Sequence, residues 1–268
     1  MIRGVPVLMY HWVSDRPGER LRKYGVLPRD FARHMSFLSR RGWRCVTLAA
    51  LRESLEERRP LPARSFVLTF DDGTDDLEPN VLPVLQRHGF TATSFVVTGC
   101  AGDVNRWDLR HGDPPRSLLG PETLRRLDGP TVRFESHSCT HQFLTALDAA
   151  AANREILDSK RWLEDLLGRQ VEAFSYPHGL FNHPIEEMVR EAGYLCAATD
   201  IRGLNRPGTG PFRVRRVMIT AADGAAGFAF KLATGHDVRS AIRSLAGLET
   251  GAPAMGEGEA AAGRRARW

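Results

Sequence analysis

Residues 65–73 read Ser-Phe-Val-Leu-Thr-Phe-Asp-Asp-Gly, and the prediction of the fold begins with this stretch. Its first six residues carry no charge and predict a strand. Two adjacent carboxylates, Asp71 and Asp72, end that strand, and Gly73 permits an immediate turn. Because neighbouring side chains on a strand point to opposite faces, the two aspartates can share a pocket only if the strand ends here.

Apolar runs of similar length recur along the chain and alternate with amphipathic stretches. The other predicted strands are 5–10, 91–97, 132–135, 171–175, 194–198 and 212–219. The predicted helices are one that ends before Gly42, and 77–89, 149–168 and 185–193. This alternation predicts a mostly parallel α/β fold, and its six or seven units favour a distorted (β/α) barrel over an open sheet.

The chemistry of such barrels lies at the C-terminal ends of the strands. Asp71, Asp72 and His137 directly follow predicted strands, so we expect them on that face. Residues 99–121, rich in glycine and proline, predict a long surface loop over the site. We expect one catalytic domain over 1–248, followed by a disordered tail over 249–268, where Gly, Ala, Glu and Arg predominate.

Composition excludes several classes of protein. The net charge is +5, but the basic residues are scattered and form no basic helix interleaved with aromatic residues, which argues against nucleic-acid binding. Four widely spaced cysteines form no Cys-x-x-Cys pair, so neither a disulfide framework nor a structural zinc motif is expected. The apolar N-terminal patch is too short for a signal peptide or a membrane span. The sequence therefore predicts a reduced, cytoplasmic protein, and it leaves the oligomeric state open.

A second segment, Ser-His-Ser-Cys-Thr-His at 136–141, sets two histidines four residues apart. If this segment is helical, His137 and His141 are one turn apart and can converge on one point. Two imidazoles and one carboxylate make a divalent-metal site with an open coordination position, and the other aspartate is then available as a base. The alternatives are plainer: Asp-Asp-Gly as a solvated turn, and the histidines as a surface pair.

A third segment, Phe-Ser-Tyr-Pro-His-Gly at 174–179, also ends a predicted strand. Proline and glycine around a tyrosine can fix a loop whose backbone N–H faces a pocket, as in an oxyanion hole. A simple strand-to-helix turn is the alternative interpretation.

In order and spacing, the three segments resemble the polysaccharide deacetylase (NodB-homology, carbohydrate esterase family 4) domain. Further similarity at 8–11, 158–164, 191–194 and 211–216 extends the resemblance from residue 5 to residue 220. The chain is most similar to the poly-N-acetylglucosamine deacetylase subgroup, which carries an N-terminal Tyr-His strand and a Tyr-Pro-x-Gly third motif. The motif order in that subgroup is permuted, so that an N-terminal histidine, here His11, serves where other members use a C-terminal one.

The resemblance implies hydrolysis of the N-acetyl group of an N-acetylhexosamine-containing polysaccharide or glycoconjugate, with release of acetate. It implies that Asp72, His137 and His141 bind one divalent ion, most often zinc in this family, with cobalt or nickel as alternatives. It also implies that Asp71 takes the proton of the attacking water and that protonated His11 donates to the departing amine.

The third motif departs from the family pattern. The backbone N–H of Tyr176 is expected to hold the oxyanion, with Pro177 and His178 beside the substrate, but His178 replaces the usual tyrosine. The arginine that orients the catalytic aspartate is missing from this motif. Arg213 or Arg216 could supply its charge, and Arg216 is the favoured candidate. The Asp-Trp fourth motif is also absent, which leaves the wall around the acetyl methyl group unassigned.

Two other functions stay open at this point. The same chemistry could act on a small molecule or an O-acetyl ester, or the chain could be a non-catalytic relic that binds sugar. The presence of both aspartates and both histidines argues against the relic. An N-acetylated glycan or glycoconjugate is the expected partner.

Overall fold

The computed structural model describes residues 4–15, 24–57, 59–111 and 114–237. Its strands, in chain order, are β1 (Val7–Tyr10), β2 (Trp12–Val13), β3 (Gly25–Val26), β4 (Arg44–Cys45), β5 (Ser65–Phe70), β6 (Ala92–Val96), β7 (Val132–Ser136), β8 (Ala173–Ser175), β9 (Cys196–Ala198) and β10 (Val217–Met218). The helices are α1 (Pro28–Arg40), α2 (Leu48–Glu57), α3 (Leu82–His88), α4 (Pro121–Leu127), α5 (Ala149–Leu167), α6 (His183–Glu191) and α7 (Ala225–Thr234).

Seven strands form a parallel sheet in the order β10-β1-β5-β6-β7-β8-β9, and the short β4 pairs with the start of β5. The two ends of this sheet approach each other through one segment. Val214 bridges to Ala198 at the end of β9, and three residues later β10 pairs with β1. The sheet therefore curls into the predicted distorted (β/α) barrel of about seven parallel strands, and this prediction of the fold is confirmed.

Two hydrophobic layers explain why every residue of β5 is buried. Phe66 and Leu68 belong to the large core that includes the apolar face of α1. Val67, which alternates with them, packs in a separate cluster with Leu48 and Leu51 of α2. Because side chains alternate along a strand, the sheet is covered on both faces, as a (β/α) barrel requires.

The longest helix, α5, begins and ends where the sequence predicts. The side chain of Asp148 accepts a hydrogen bond from the Ala151 N–H at 2.8 Å and caps the N-terminus. Gly168 ends the helix in the left-handed conformation, with φ of 66°. This helix packs beside β7 and the loop that follows it.

The helix predicted over 77–89 is two elements rather than one. A π-helical turn covers Leu77–Val81, and α3 starts at Leu82. Pro83 thus falls in the first turn of a new helix, where its missing N–H leaves no hydrogen bond unmade. The predicted strand over 212–219 is also shorter, because Pro211–Arg213 forms a 3₁₀ turn before β10.

None of the helices in the described ranges is long and apolar enough to cross a membrane. The tail predicted over 249–268 lies outside the described residues, and so does the end of the domain predicted at 248. The cytoplasmic location stays a prediction. All four cysteines are free, as their spacing predicts.

Candidate active site

The candidate site lies at the C-terminal ends of the barrel strands, as expected. Asp71 follows β5, and its backbone N–H donates to the carbonyl of Tyr10 at 3.0 Å, which sets it beside the end of β1. His137 follows β7, and its backbone N–H donates to the carbonyl of Val96, the last residue of β6, at 2.9 Å. Asp71, Asp72, His137 and His141 are all buried. Side chains from two distant segments of the chain therefore lie together at one end of the barrel.

Asp72, His137 and His141 offer three ligand atoms that lie within 4.8 Å of one another. The Oδ1 of Asp72 lies 3.8 Å from Nε2 of His137 and 3.7 Å from Nε2 of His141. A tetrahedral zinc site with bonds of about 2.1 Å sets its ligand atoms roughly 3.4 Å apart. The donor set and its spacing therefore fit a small divalent ion.

The two imidazole rings have the orientation and the charge state that metal ligands need. His137 donates through Nδ1 to the carbonyl of Ser175 at 2.8 Å, so the lone pair of its Nε2 faces Asp72. Burial lowers the pKa of His137. Burial lowers the pKa of His141 well below its usual value, and the neighbouring His137 and His178 lower it further. Both rings are therefore neutral near physiological pH, the form in which imidazole binds metal.

Asp72 is a buried carboxyl group with no positive charge paired to it in the hydrogen bonds and ion pairs described, apart from the two site histidines. Its φ of 75° lies in the left-handed region, and with Gly73 at 74° it turns the chain sharply after β5. Burial raises its pKa well above the usual value, and the neighbouring charge of Asp71 raises it further. A divalent cation beside it would offset both effects.

Asp71 is held by Arg216, which is fully buried. Nη1 of Arg216 donates to Oδ1 of Asp71 at 2.7 Å, and Nη2 donates to Asp200 at 2.9 Å and to Ser175 Oγ at 3.1 Å. Its Nε donates to the carbonyl of Thr199 at 2.9 Å. Burial would raise the pKa of Asp71, but the charge and the hydrogen bond of Arg216 act against it, and the pKa is lowered. Asp71 is thus ionised and fixed in direction. The sequence missed Ser175 and Asp200 as partners of the guanidinium.

The segment that carries the two histidines is not helical, which corrects the prediction of one helical turn. Residues 137–141 form a loop in which Ser138 and His141 take positive φ values of 65° and 60°. The imidazoles therefore converge through two left-handed residues rather than through helical periodicity. Four-residue spacing alone contains no signal for this conformation.

Tyr176 does not present its N–H to the pocket as expected. That N–H donates to the carbonyl of Ala198 at 3.2 Å, which continues the pairing of β8 with β9. Its side chain is fully buried, and its hydroxyl donates to the carbonyl of Phe212. Pro177 is buried beside it. The phenol and the N–H of Tyr176 are thus both used within the protein.

His178 lies at the site, beside His141. Its φ is 59°, its Nε2 lies 3.2 Å from the carbonyl oxygen of His141, and its ring stacks on Phe143 at 3.9 Å. Gly179, which follows with φ of 66°, leaves no space for a side chain, because a Cβ there would lie 2.4 Å from Asp200. The third motif therefore packs against both the histidine loop and the Arg216 cluster.

Two further aromatic features border the site. His11 follows β1, interacts electrostatically with Asp71 and both site histidines, and lies 4.8 Å from the ring of Tyr24. Trp107 stacks on His141 at 4.7 Å, from within the segment predicted to form a loop over the site. Sequence reasoning did not single out Trp107, because neither its position nor its neighbours match a motif.

A parallel barrel with buried carboxylates and histidines at its strand ends is the architecture of a (β/α)-barrel hydrolase. The family model for polysaccharide deacetylase matches residues 58–197, and the chain belongs to this family. Membership of this family makes the protein a hydrolase that deacetylates carbohydrate.

Three similar proteins illustrate the relationship. YxkH of Bacillus subtilis, whose name assigns it to polysaccharide deacetylases, is 26% identical over 84% of this chain and 74% of its own length. The poly-beta-1,6-N-acetyl-D-glucosamine N-deacetylase of Staphylococcus epidermidis is 23% identical over 75% of this chain and 70% of its own. The solved structure of IcaB from Ammonifex degensii superposes with a TM-score of 0.74 and 25% identity, covering 86% of this chain and 96% of that one.

Proposed function

We propose that this protein is a metal-dependent N-deacetylase that releases acetate from an N-acetylhexosamine in a polysaccharide or glycoconjugate. The observation that supports it best is the pairing of Asp71 with Arg216 directly beside the donor set of Asp72, His137 and His141. A general base and a metal site need to be adjacent, and neither is explained by structural stability alone, because burying these charges is costly.

Asp72, His137 and His141 would hold the ion, with zinc the first candidate and cobalt or nickel as alternatives. A bound divalent ion would polarise the acetyl carbonyl and lower the pKa of water at the site. Asp71, ionised and aimed by Arg216, takes the proton from the attacking water. His11 follows β1, the strand that pairs with β5 on the side away from β6. It donates a proton to the amine as the amine departs.

The choice of an N-acetylated sugar rests on the relatives. The Staphylococcus epidermidis protein is named for the N-deacetylation of a poly-N-acetylglucosamine, and the site here has the same two aspartates and two histidines that the family resemblance assigns. An O-acetyl ester or a small N-acetylated molecule is the alternative substrate for the same residues.

The test is an acetate-release assay on N-acetylglucosamine oligomers, peptidoglycan fragments, precursor saccharides and an O-acetyl ester, with zinc, cobalt or nickel added. Asp71→Asn should lower turnover by about 10²- to 10⁴-fold while bound metal stays at the wild-type level. Asp72→Ala should lose both metal and activity. Asp75→Asn removes an exposed carboxylate from the same turn and serves as the control.

Unchanged turnover in Asp71→Asn would refute its role as the base. Zinc bound at full stoichiometry by Asp72→Ala would refute the ligand assignment. Acetate released from the ester alone would replace the N-deacetylase by an O-deacetylase, and no release from any substrate with any of the three metals would favour the sugar-binding relic.

A further inference from the structure

The loop that joins the two histidines adopts a conformation that its residues do not favour on their own. Ser138 and His141 both lie in the left-handed region, with φ of 65° and 60°. Residues with a Cβ avoid this region, and neither position is a glycine. Surrounding contacts must therefore hold the loop in place.

Glu155 of α5 provides the densest of these contacts. One of its oxygens, Oε2, accepts hydrogen bonds from the backbone N–H groups of Cys139 at 3.0 Å and Thr140 at 2.8 Å. The other, Oε1, accepts from the hydroxyl of Thr140 at 2.6 Å. The side chain is buried, with 8% of the residue exposed. Three hydrogen bonds to one buried carboxyl group therefore converge on the middle of the loop.

The opposite edge of the loop is held by a complementary set of donors. The N–H of Thr98 donates to the carbonyl of Ser138 at 3.1 Å, and the N–H of Gly99 donates to that of Cys139 at 2.8 Å. A Cβ at position 99 would lie 2.7 Å from the Cys139 carbonyl oxygen, so only glycine permits this approach. The loop is thus held between a carboxylate that takes its N–H groups and a turn that binds its carbonyls.

We propose that Glu155 is a positioning residue for the metal centre, which sets metal affinity by holding His137 and His141 in their converging arrangement. This inference rests on the proposed function, because it takes those two histidines as ligands. Glu155 acts through the loop backbone and touches neither imidazole in the hydrogen bonds described. Without it, the N–H groups of Cys139 and Thr140 lose their acceptor, and the loop can relax to conformations in which the imidazoles separate.

The experiment measures zinc affinity by competition with a chromophoric chelator, in the full-length protein. Glu155→Ala should weaken zinc binding by about 10- to 100-fold, the range found when outer partners of metal ligands are removed. Glu155→Gln retains one acceptor oxygen for the two N–H groups and should restore part of the affinity. Asp165→Ala removes an exposed carboxylate from the same helix and should leave affinity unchanged.

A second measurement separates positioning from general stability. Hydrogen exchange of the metal-free protein should show faster exchange at the Cys139 and Thr140 amides in Glu155→Ala, with the centre of α5 as protected as in the wild type. If Glu155→Ala does not fold, Thr140→Val removes one of the three hydrogen bonds and should give a smaller change in the same direction.

Zinc affinity within about twofold of the wild type in Glu155→Ala, a fraction of the change expected for such a partner, would overturn the proposal. Because neither measurement uses turnover, a wild-type protein that binds zinc but releases no acetate would refute the deacetylase and leave the role of Glu155 supported. A wild-type protein that binds none of the three metals would overturn both.

Discussion

Asp71 and Asp72 are neighbours in the chain, yet their carboxyl groups experience opposite electrostatics. Arg216 holds the pKa of Asp71 below its usual value against the effect of burial. Asp72 is buried beside Asp71, and its pKa is raised. One carboxylate is therefore paired with an arginine, and the other belongs to the candidate metal site. The main partner of Asp71 is Arg216, which lies 145 positions further along the chain.

The role of Arg216 can be tested by Arg216→Lys. Lysine keeps the charge but cannot donate to Asp71, Asp200, Ser175 and the Thr199 carbonyl together, so Asp71 should lose its fixed direction. We expect turnover to fall by about 100-fold, as for a small misplacement of a reacting group, with zinc affinity unchanged. Steady-state kinetics and the chelator competition measure the two effects.

Asp200→Asn is the matched control for this substitution. It removes the other carboxylate on the same guanidinium, and Asp200 is about one third exposed, so its pairing contributes less. Turnover should change far less than in Arg216→Lys. Equal losses in the two variants would show that Arg216 supports the fold of this region rather than the direction of Asp71.

At the scale of elements, the sequence predicted the main strands and α5 well, because hydrophobic runs and helix caps are local signals. It did not predict α2, α4 or α7, whose boundaries depend on packing against the barrel. The boundary between the two elements over 77–89 was also not predicted. The same limit applies to the candidate site. The sequence predicted which side chains come together, but it did not predict the left-handed residues of the histidine loop or the hydrogen bond from the Tyr176 N–H to Ala198.

His34 shows how an element is attached and how that attachment depends on pH. It lies on α1, stacks on Phe228 of α7 at 4.1 Å, and bonds to the hydroxyl of Tyr10 at 3.2 Å and to the carbonyl of Asp223 at 3.3 Å. Burial lowers its pKa from 6.5, although Asp223 opposes this. The contact is therefore made by the neutral ring, which donates through Nε2 to the carbonyl and accepts from the phenol.

The sign of the pH dependence follows from the lowered pKa. Above pH 6.5 the ring is neutral in both states, and its contribution to stability is complete. As pH falls below 6.5, the unfolded chain binds a proton before the folded one, so stability is lost, by up to about 1.4 kcal/mol per pH unit. His34→Gln keeps a donor and an acceptor but does not titrate, so its free energy of unfolding should fall less steeply with acid.

Urea unfolding at about pH 7.5 and about pH 5.5 measures this difference. The control is His183→Gln, because His183 lies on the surface at the start of α6 and takes no part in the contact between α1 and α7. An identical acid dependence in wild type and His34→Gln would show that the lowered pKa of His34 does not govern the stability of this contact.

At the scale of the whole molecule, the parallel sheet brings together residues that no local pattern connects. β5 and β7 are separated in the sheet only by β6, and this puts Asp72 beside His137 and His141. The segment that closes the barrel between β9 and β1 carries Arg216 to Asp71. The resemblance to the family made Arg216 a candidate partner of Asp71, and the closure of the barrel explains how the two residues meet.

A bound metal should therefore stabilise the whole barrel, because its ligands come from the ends of two strands that fold together. An ion that binds only the folded state adds about 2.7 kcal/mol to the free energy of unfolding at a free concentration of 100 times its dissociation constant. Removal of metal with a chelator should lower the thermal midpoint, and zinc should restore it. His141→Gln should abolish this shift, whereas Asp71→Asn, which leaves the three ligands in place, should retain it. A shift of equal size in His141→Gln would mean that zinc stabilises the protein from another site.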